Sequence, residues 1–307
     1  MGYTSWSSTT YDSIKTDYKS KDTDTIFKAN KTRRISPDMD PSGLKNRECR
    51  DSDAHPLSLA IQFWLDETGS MGEIPDYLIR NKLGTLIETL LKHKVTDPSV
   101  LFGGIGDHYS DHYPLQIGQF ESGTEELNKW LTSVYLEGSG GGQNKESYLL
   151  AWLIAGRYTS IDCFEKRGKK GYLFTVGDEK TWDSLSGDVI NNLLGENHNE
   201  TVTAEQLLSE ANRLYNVYHI HINSTRYKND PDVINSWKEL LGQNLIILDD
   251  EKNVAEVVAS TIAVMEGANK SDVLLSFDPK TALSVSNALV SIDDKSLVKS
   301  DSKVIKF

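Results

Sequence analysis

The sequence predicts an α/β fold: a doubly wound, mostly parallel, Rossmann-like sheet with one antiparallel edge strand and an extension at either end. Three observations carry this reading. Short apolar runs alternate with amphipathic stretches from residue 57 to 267, the order in which strands and crossover helices follow one another. The runs are apolar at nearly every position, as in strands covered on both faces. Three of them, 59–65, 99–106 and 171–177, end abruptly in Asp66, Asp107 and Asp178. Acids so placed gather beyond the carboxyl ends of strands, where open parallel sheets bind their ligands.

Residues 1–56 are rich in Ser, Thr, Asp and Lys, with scattered aromatics (Tyr3, Trp6, Tyr11, Tyr18, Phe27) and no sustained period, which reads as an N-terminal extension and not a core. The dense charge string from Arg47 to Pro56 is either a solvated linker or an arm packed around the domain. After the first strand, Ile74, Leu78, Ile79, Leu83, Leu86, Ile87, Leu90 and Leu91 fall at helical spacing, with Pro75 tolerated in the first turn. A second buried strand spans 99–106, and 113–120 alternates polar and apolar as an antiparallel edge strand does. Residues 124–134 form a helix with Leu127, Trp130, Leu131 and Val134 inward, and the glycine loop from Gly138 to Gly142 opens a helix through Tyr148, Leu149, Trp152 and Leu153. Strand 171–177, helix 203–215, strand 217–223, helix 230–241, strand 244–248 and helix 252–265 complete the domain. Residues 268–307 form a C-terminal tail of short apolar clusters among Asp, Lys and Ser, in which 284–292 suits a helix or a strand.

The 307 residues, 38% hydrophobic and 25% charged, suffice for one large or two small domains with a sizeable core. A formal net charge of −12 argues against a general electrostatic grip on nucleic acid or an anionic membrane and favours cations or basic partners. With only Cys49 and Cys163 there is no disulfide framework, which points to a reducing compartment. No apolar run is long enough to cross a bilayer and the first residues lack a secretory apolar segment, so the expected location is cytoplasmic.

The chemistry concentrates after the first strand, where Asp66, Thr68 and Ser70 stand at alternate positions and turn their oxygens to one side. A hard cation such as magnesium takes about six oxygen ligands and keeps some of its waters, so one carboxylate and two hydroxyls make a partial shell. The wording Asp66-x-Thr68-x-Ser70, within Thr-Gly-Ser-Met, resembles the metal-ion-dependent adhesion site of the von Willebrand factor A domain family, in particular its intracellular bacterial and phage members. The resemblance covers residues 57–267, with three loops in the family's order. It implies that the sheet reverses its order between the first and fourth strands, that Thr68 and Ser70 ligate a Mg2+ (or Mn2+) ion, and that Asp66 and Asp178 hold it directly or through water. It places a further ligand on the glycine loop near Gln143, where most members carry Thr or Asp. Gln143 departs from that pattern. Asp107, with Asp111, either bonds the cation's waters or closes a plain turn.

Other motifs point elsewhere less well. His108 and His112 are spaced for zinc only on a helix, and Gly106 and Pro114 hem them into a turn. His219 and His221 share one face of the fifth strand, as core or interface side chains. The glycine loop lacks Gly-Lys-[Ser/Thr] and follows a helix, so it is no phosphate loop. The function expected is a non-enzymatic, metal-dependent module that binds a protein partner offering an Asp or Glu to the ion, with no nucleic acid or membrane partner. Family analogy adds an intracellular setting such as a hexameric ATPase or a phage or stress-response assembly. The alternatives are a structural subunit that assembles through its tails, and a metal-dependent phosphoesterase, for which Lys145 and Lys180 are the only nearby cations to clamp phosphate.

Overall fold

The computed structural model describes residues 4–69, 71, 73–138, 144–195 and 197–292. Its central sheet has six strands: β1 (Leu59–Asp66), β2 (Pro98–Ile105), β3 (Leu115–Ile117), β4 (Gly171–Gly177), β5 (Tyr215–Ile222) and β6 (Leu245–Leu248). They lie in the order β6-β5-β4-β1-β2-β3, parallel throughout except for β3, which runs antiparallel to β2. Every residue of β1, β2 and β4 is buried, which requires cover on both faces and explains their unbroken apolar runs. The cover comes from helices: Leu149–Arg157 packs on Ala204–Leu214, and Leu83–Lys92 packs on Val254–Met265.

The chain leaves β1 outward to β2 and β3, then returns to place β4 on the other side of β1. The order therefore reverses between β1 and β4, the position at whose carboxyl ends open parallel sheets bind ligands. Register sets the relative level of the two strand ends. Leu65 lies opposite Val176 and Asp66 opposite Ile105, so Asp66 and Asp178 emerge within one residue of the same level.

Long elements fall where the apolar period put them, whereas several short ones do not. The edge strand expected over 113–120 is three residues long, supplemented by an isolated bridge between Val100 and Glu121. Helix Gly187–Leu194 and the parallel ladders Arg47–Cys49 with Thr159–Ile161 and Lys145–Glu146 with Lys180–Thr181 were not foreseen, since two or three residues carry no readable period. In the C-terminal tail, helices Lys270–Leu274 and Pro279–Ala288 begin at Asn269 and Asp278, whose side chains accept from the first-turn amides. Val273, Val285, Leu289 and Ile292 are buried there, and residues 293–307 lie outside the described residues. No helix among the described residues is long and apolar enough to cross a membrane.

The N-terminal segment, expected as an extension and not a core, is packed along the domain. Its scattered aromatics are anchors, with Tyr11 and Phe27 buried in the main core. They meet the helical run that follows β1, which passes from Glu73–Tyr77 through a π-helical stretch, Leu78–Lys82, into Leu83–Lys92. The Tyr11 hydroxyl donates to the carbonyl of Ile79 at 3.1 Å, and the Arg80 guanidinium donates to the carbonyls of Tyr18 and Lys21. Gly84 makes the seat, because a Cβ there would lie 2.7 Å from Cε1 and 2.8 Å from Cδ1 of Tyr11.

That seat yields a test of sign. Gly to Ala inside a helix ordinarily stabilises by about 0.5–1 kcal/mol, but overpacking against a fixed ring costs roughly 1–3 kcal/mol. Gly84→Ala should therefore destabilise the wild type in urea unfolding and stabilise the Tyr11→Ala variant. Stabilisation in both backgrounds would show that the arm does not sit on this helix.

Candidate functional site

Asp66 closes β1 and is almost wholly buried. Its Oδ1 accepts from the Thr68 amide at 2.8 Å and from the Thr68 hydroxyl at 2.5 Å, a local turn that carries the chain out of the strand. Its Oδ2 accepts from the Tyr148 hydroxyl at 2.6 Å. Tyr148 reaches across the sheet through a notch left by Gly177, where a Cβ would stand 1.8 Å from the phenolic oxygen. The Tyr148 ring is held edge-on to His219 (5.0 Å) and Trp237 (5.5 Å), and His219 stacks on Trp237 at 3.6 Å while its Nδ1 pairs with the Thr175 hydroxyl at 2.8 Å. His219 and His221 are thus core side chains, and burial holds the pKa of each below the ordinary imidazole value.

Further acids surround this pair. Asp178 follows β4 fully buried. Glu146, on the two-residue strand beside Lys180–Thr181, is 1% exposed, and its Oε2 has no hydrogen-bond partner. Glu67 is buried with one oxygen accepting from the Gln116 amide. The nearby lysines do not offset these charges: Lys145 pairs with Asp183 at 2.7 Å and Lys180 with Asp232 at 2.8 Å, both acids being largely exposed. Burial raises the pKa of Asp66 to about 7, against the pull of the Thr68 and Tyr148 bonds, with Asp178 adding repulsion. Burial, and then the charge of Asp66, likewise pushes the Glu146 carboxyl far up.

Of the residues singled out in the sequence, the structure places Asp66, Thr68 and Asp178, all buried, at the adjacent carboxyl ends of β1 and β4. Asp107 closes a turn: it accepts from the Tyr109 amide at 3.2 Å and the Ser110 hydroxyl at 2.9 Å, and it ties that turn across to Trp182 Nε1 at 2.8 Å. Ser70 and Gln143 lie outside the described residues. His108 and His112 go to different partners, Ser147 Oγ at 2.7 Å and Glu137 Oε1 at 3.0 Å, so they form no zinc pair. Among the described residues, no three His, Cys, Asp or Glu side chains are grouped as around a metal ion. Sequence reasoning missed Glu146 and Tyr148. No sequence signal pointed to them, since Glu146 ends a two-residue strand and Tyr148 caps the helix that follows.

An aromatic rim borders the strand ends, with Tyr109 and Trp182 rings 4.5 Å apart and Lys145 Nζ 5.1 Å from the Trp182 ring centre. Behind it lies a cleft of about 610 Å³, lined in part by Lys145, Lys180, Trp182, Leu208 and Leu240.

No family model and no curated protein matches this sequence. Among solved structures, the chain is similar to the pilus adhesin SpaC of Lactobacillus rhamnosus GG in its open conformation, at 9% identity and a TM-score of 0.41 over 76% of this chain and 31% of that one. It is also similar to proximal thread matrix protein 1 of the mussel byssus, at 9% identity and a TM-score of 0.43 over 70% of this chain and 49% of that one. The chain thus spans less than half the length of either protein.

The buried acids make stability depend on pH with a definite sign. Without divalent cations, Asp66 keeps its proton up to about pH 7 in the folded chain but releases it near its ordinary 3.8 when unfolded. The native state binds more protons in that window, so stability falls as pH rises from about 4 to 7. Asp66→Asn keeps an acceptor for Thr68 and removes the titration. Relative to wild type it should gain on the order of 4 kcal/mol between pH 4 and 8 in urea unfolding with chelator; parallel profiles would show that Asp66 ionises normally.

Proposed function

We propose that the chain is a non-enzymatic, divalent-cation-dependent protein-binding module of the von Willebrand factor A type. In this reading Asp66, Thr68, Ser70 and Asp178 hold Mg2+ or Mn2+, and a partner supplies an Asp or Glu to the ion. The observation that carries it is the β1/β4 reversal, at whose carboxyl ends Asp66 and Asp178 are both buried and no Lys, Arg or His among the described residues pairs with Asp66. The donor set suits a hard cation. The Thr68 hydroxyl gives its proton to Asp66 and so keeps its lone pairs for an ion. The cation supplies the charge that offsets the acids and attracts the partner's carboxylate.

The phosphoesterase alternative has less support, because the cations near the strand ends, Lys145, Lys180 and Arg226, are each engaged by an acid. The partner on this reading belongs to an intracellular assembly, and an ATPase complex is one setting that fits. The structural-subunit alternative is separated from it by experiment.

An ion bound only by the native state adds RT ln(1 + [L]/Kd), about 2.7 kcal/mol at a hundredfold excess over Kd. Magnesium or manganese should therefore raise the melting temperature of the wild type and leave that of Asp66→Ala unchanged. In pull-downs from the native host, one partner should appear with wild type in magnesium and be lost both in chelator and with Asp66→Ala. A partner retained in all three would place the contact on the terminal segments and favour the structural subunit.

A further inference from the structure

We propose that Glu146 is a third anionic group of this cation site, facing the ion through its water shell and supplying the charge that Gln143 does not. The inference rests on the metal reading above and concerns a residue outside its motif. Glu146 is held in place by backbone. Its strand pairs with Lys180–Thr181, the Trp182 amide donates to its carbonyl at 3.3 Å, and the Lys180 amide donates to the Asn144 carbonyl at 3.2 Å. Two residues on, Tyr148 bonds Asp66 directly, and the ladder sets Glu146 beside Thr181, just beyond Asp178 at the end of β4. The side chain is 1% exposed, its Oε2 accepts no hydrogen bond, and among the described residues no basic side chain pairs with it.

An unsatisfied polar atom at that depth is costly, and the residue beside it shows that the cost is not relieved by the nearest base, since Lys145 turns outward to Asp183. A hydrated divalent cation meets both needs at once, bringing positive charge and water protons for the carboxylate to accept. Magnesium keeps several of its waters, so carboxylates around it need not all touch it.

The test is calorimetric titration of the full chain with Mn2+, comparing wild type, Glu146→Gln, Glu146→Ala and Asp66→Ala. Glu146→Gln preserves shape and should weaken binding by about tenfold or more at unchanged stoichiometry, in the range seen for groups that orient a metal's ligands, while melting no lower than wild type without metal. Glu146→Ala should lose at least as much affinity, and it serves where Gln is not accommodated. If both Glu146 variants bind Mn2+ as wild type does while Asp66→Ala does not, this inference fails and the cation site stands. If wild type takes up no Mn2+, the metal reading fails and takes the inference with it.

Discussion

Three hydrogen bonds converge on the carboxylate of Asp66, and the carboxyl edge of the sheet is arranged around them. Two come from Thr68 and turn the chain out of β1; the third comes from Tyr148 and joins that turn to the start of helix Leu149–Arg157. The third bond exists only because β4 ends in glycine and leaves room for the phenol. One carboxylate therefore couples a strand end, a loop and a helix. The bonds do not make its charge comfortable: burial and the nearby Asp178 outweigh them, and the acid stays raised to about 7. A group this constrained and this poorly compensated is what a site for positive charge requires.

The other end of β1 shows that the shortage of bases around Asp66 is local. Beside the approach to that strand, Arg167 pairs with Asp51 at 2.7 Å, and Asp162 is met by Lys166 at 2.6 Å and Arg50 at 2.9 Å. Burial works against ionisation there as well, yet the Arg167, Ser58 and Lys166 contacts hold Asp51 below the usual carboxylate range, and Lys166 does the same for Asp162. The same residue type thus meets opposite treatment at the two ends of one strand. At the amino end the acids are paired and structural, worth little beyond local order where they are solvated. At the carboxyl end the lysines within reach are drawn outward to Asp183 and Asp232.

The long elements were legible in the sequence because burial on both faces leaves an unmistakable apolar run, and the strand-end acids because they interrupt such runs. Asp66 and Asp178 could thus be placed at strand ends from the runs themselves, and beside one another only through the resemblance to the von Willebrand factor A domain family. Glu146 and Tyr148 could not, since the strand that aims Glu146 is two residues long and its partner, Lys180–Thr181, lies 35 positions away in register. The N-terminal segment was misjudged for a related reason. Tyr11 and Phe27 are buried singly in a polar stretch, Tyr11 in a seat made by Gly84, so no period accompanies them. Isolated aromatics in a polar stretch become informative only when the surface that receives them is known.

That seating bears on the site itself. The loop from Thr68 runs into the helical stretch that begins at Glu73, and the arm grips this stretch at Ile79, Arg80 and Gly84. On its other side, Lys82 reaches the buried Glu256 of helix Val254–Met265. A helix pinned from both sides gives the loop a fixed far end, while Asp66 and its bond to Tyr148 fix the near one. The arm, remote from Asp66 in sequence, thus packs on the helical stretch that follows β1 and closes the far side of the same helix layer.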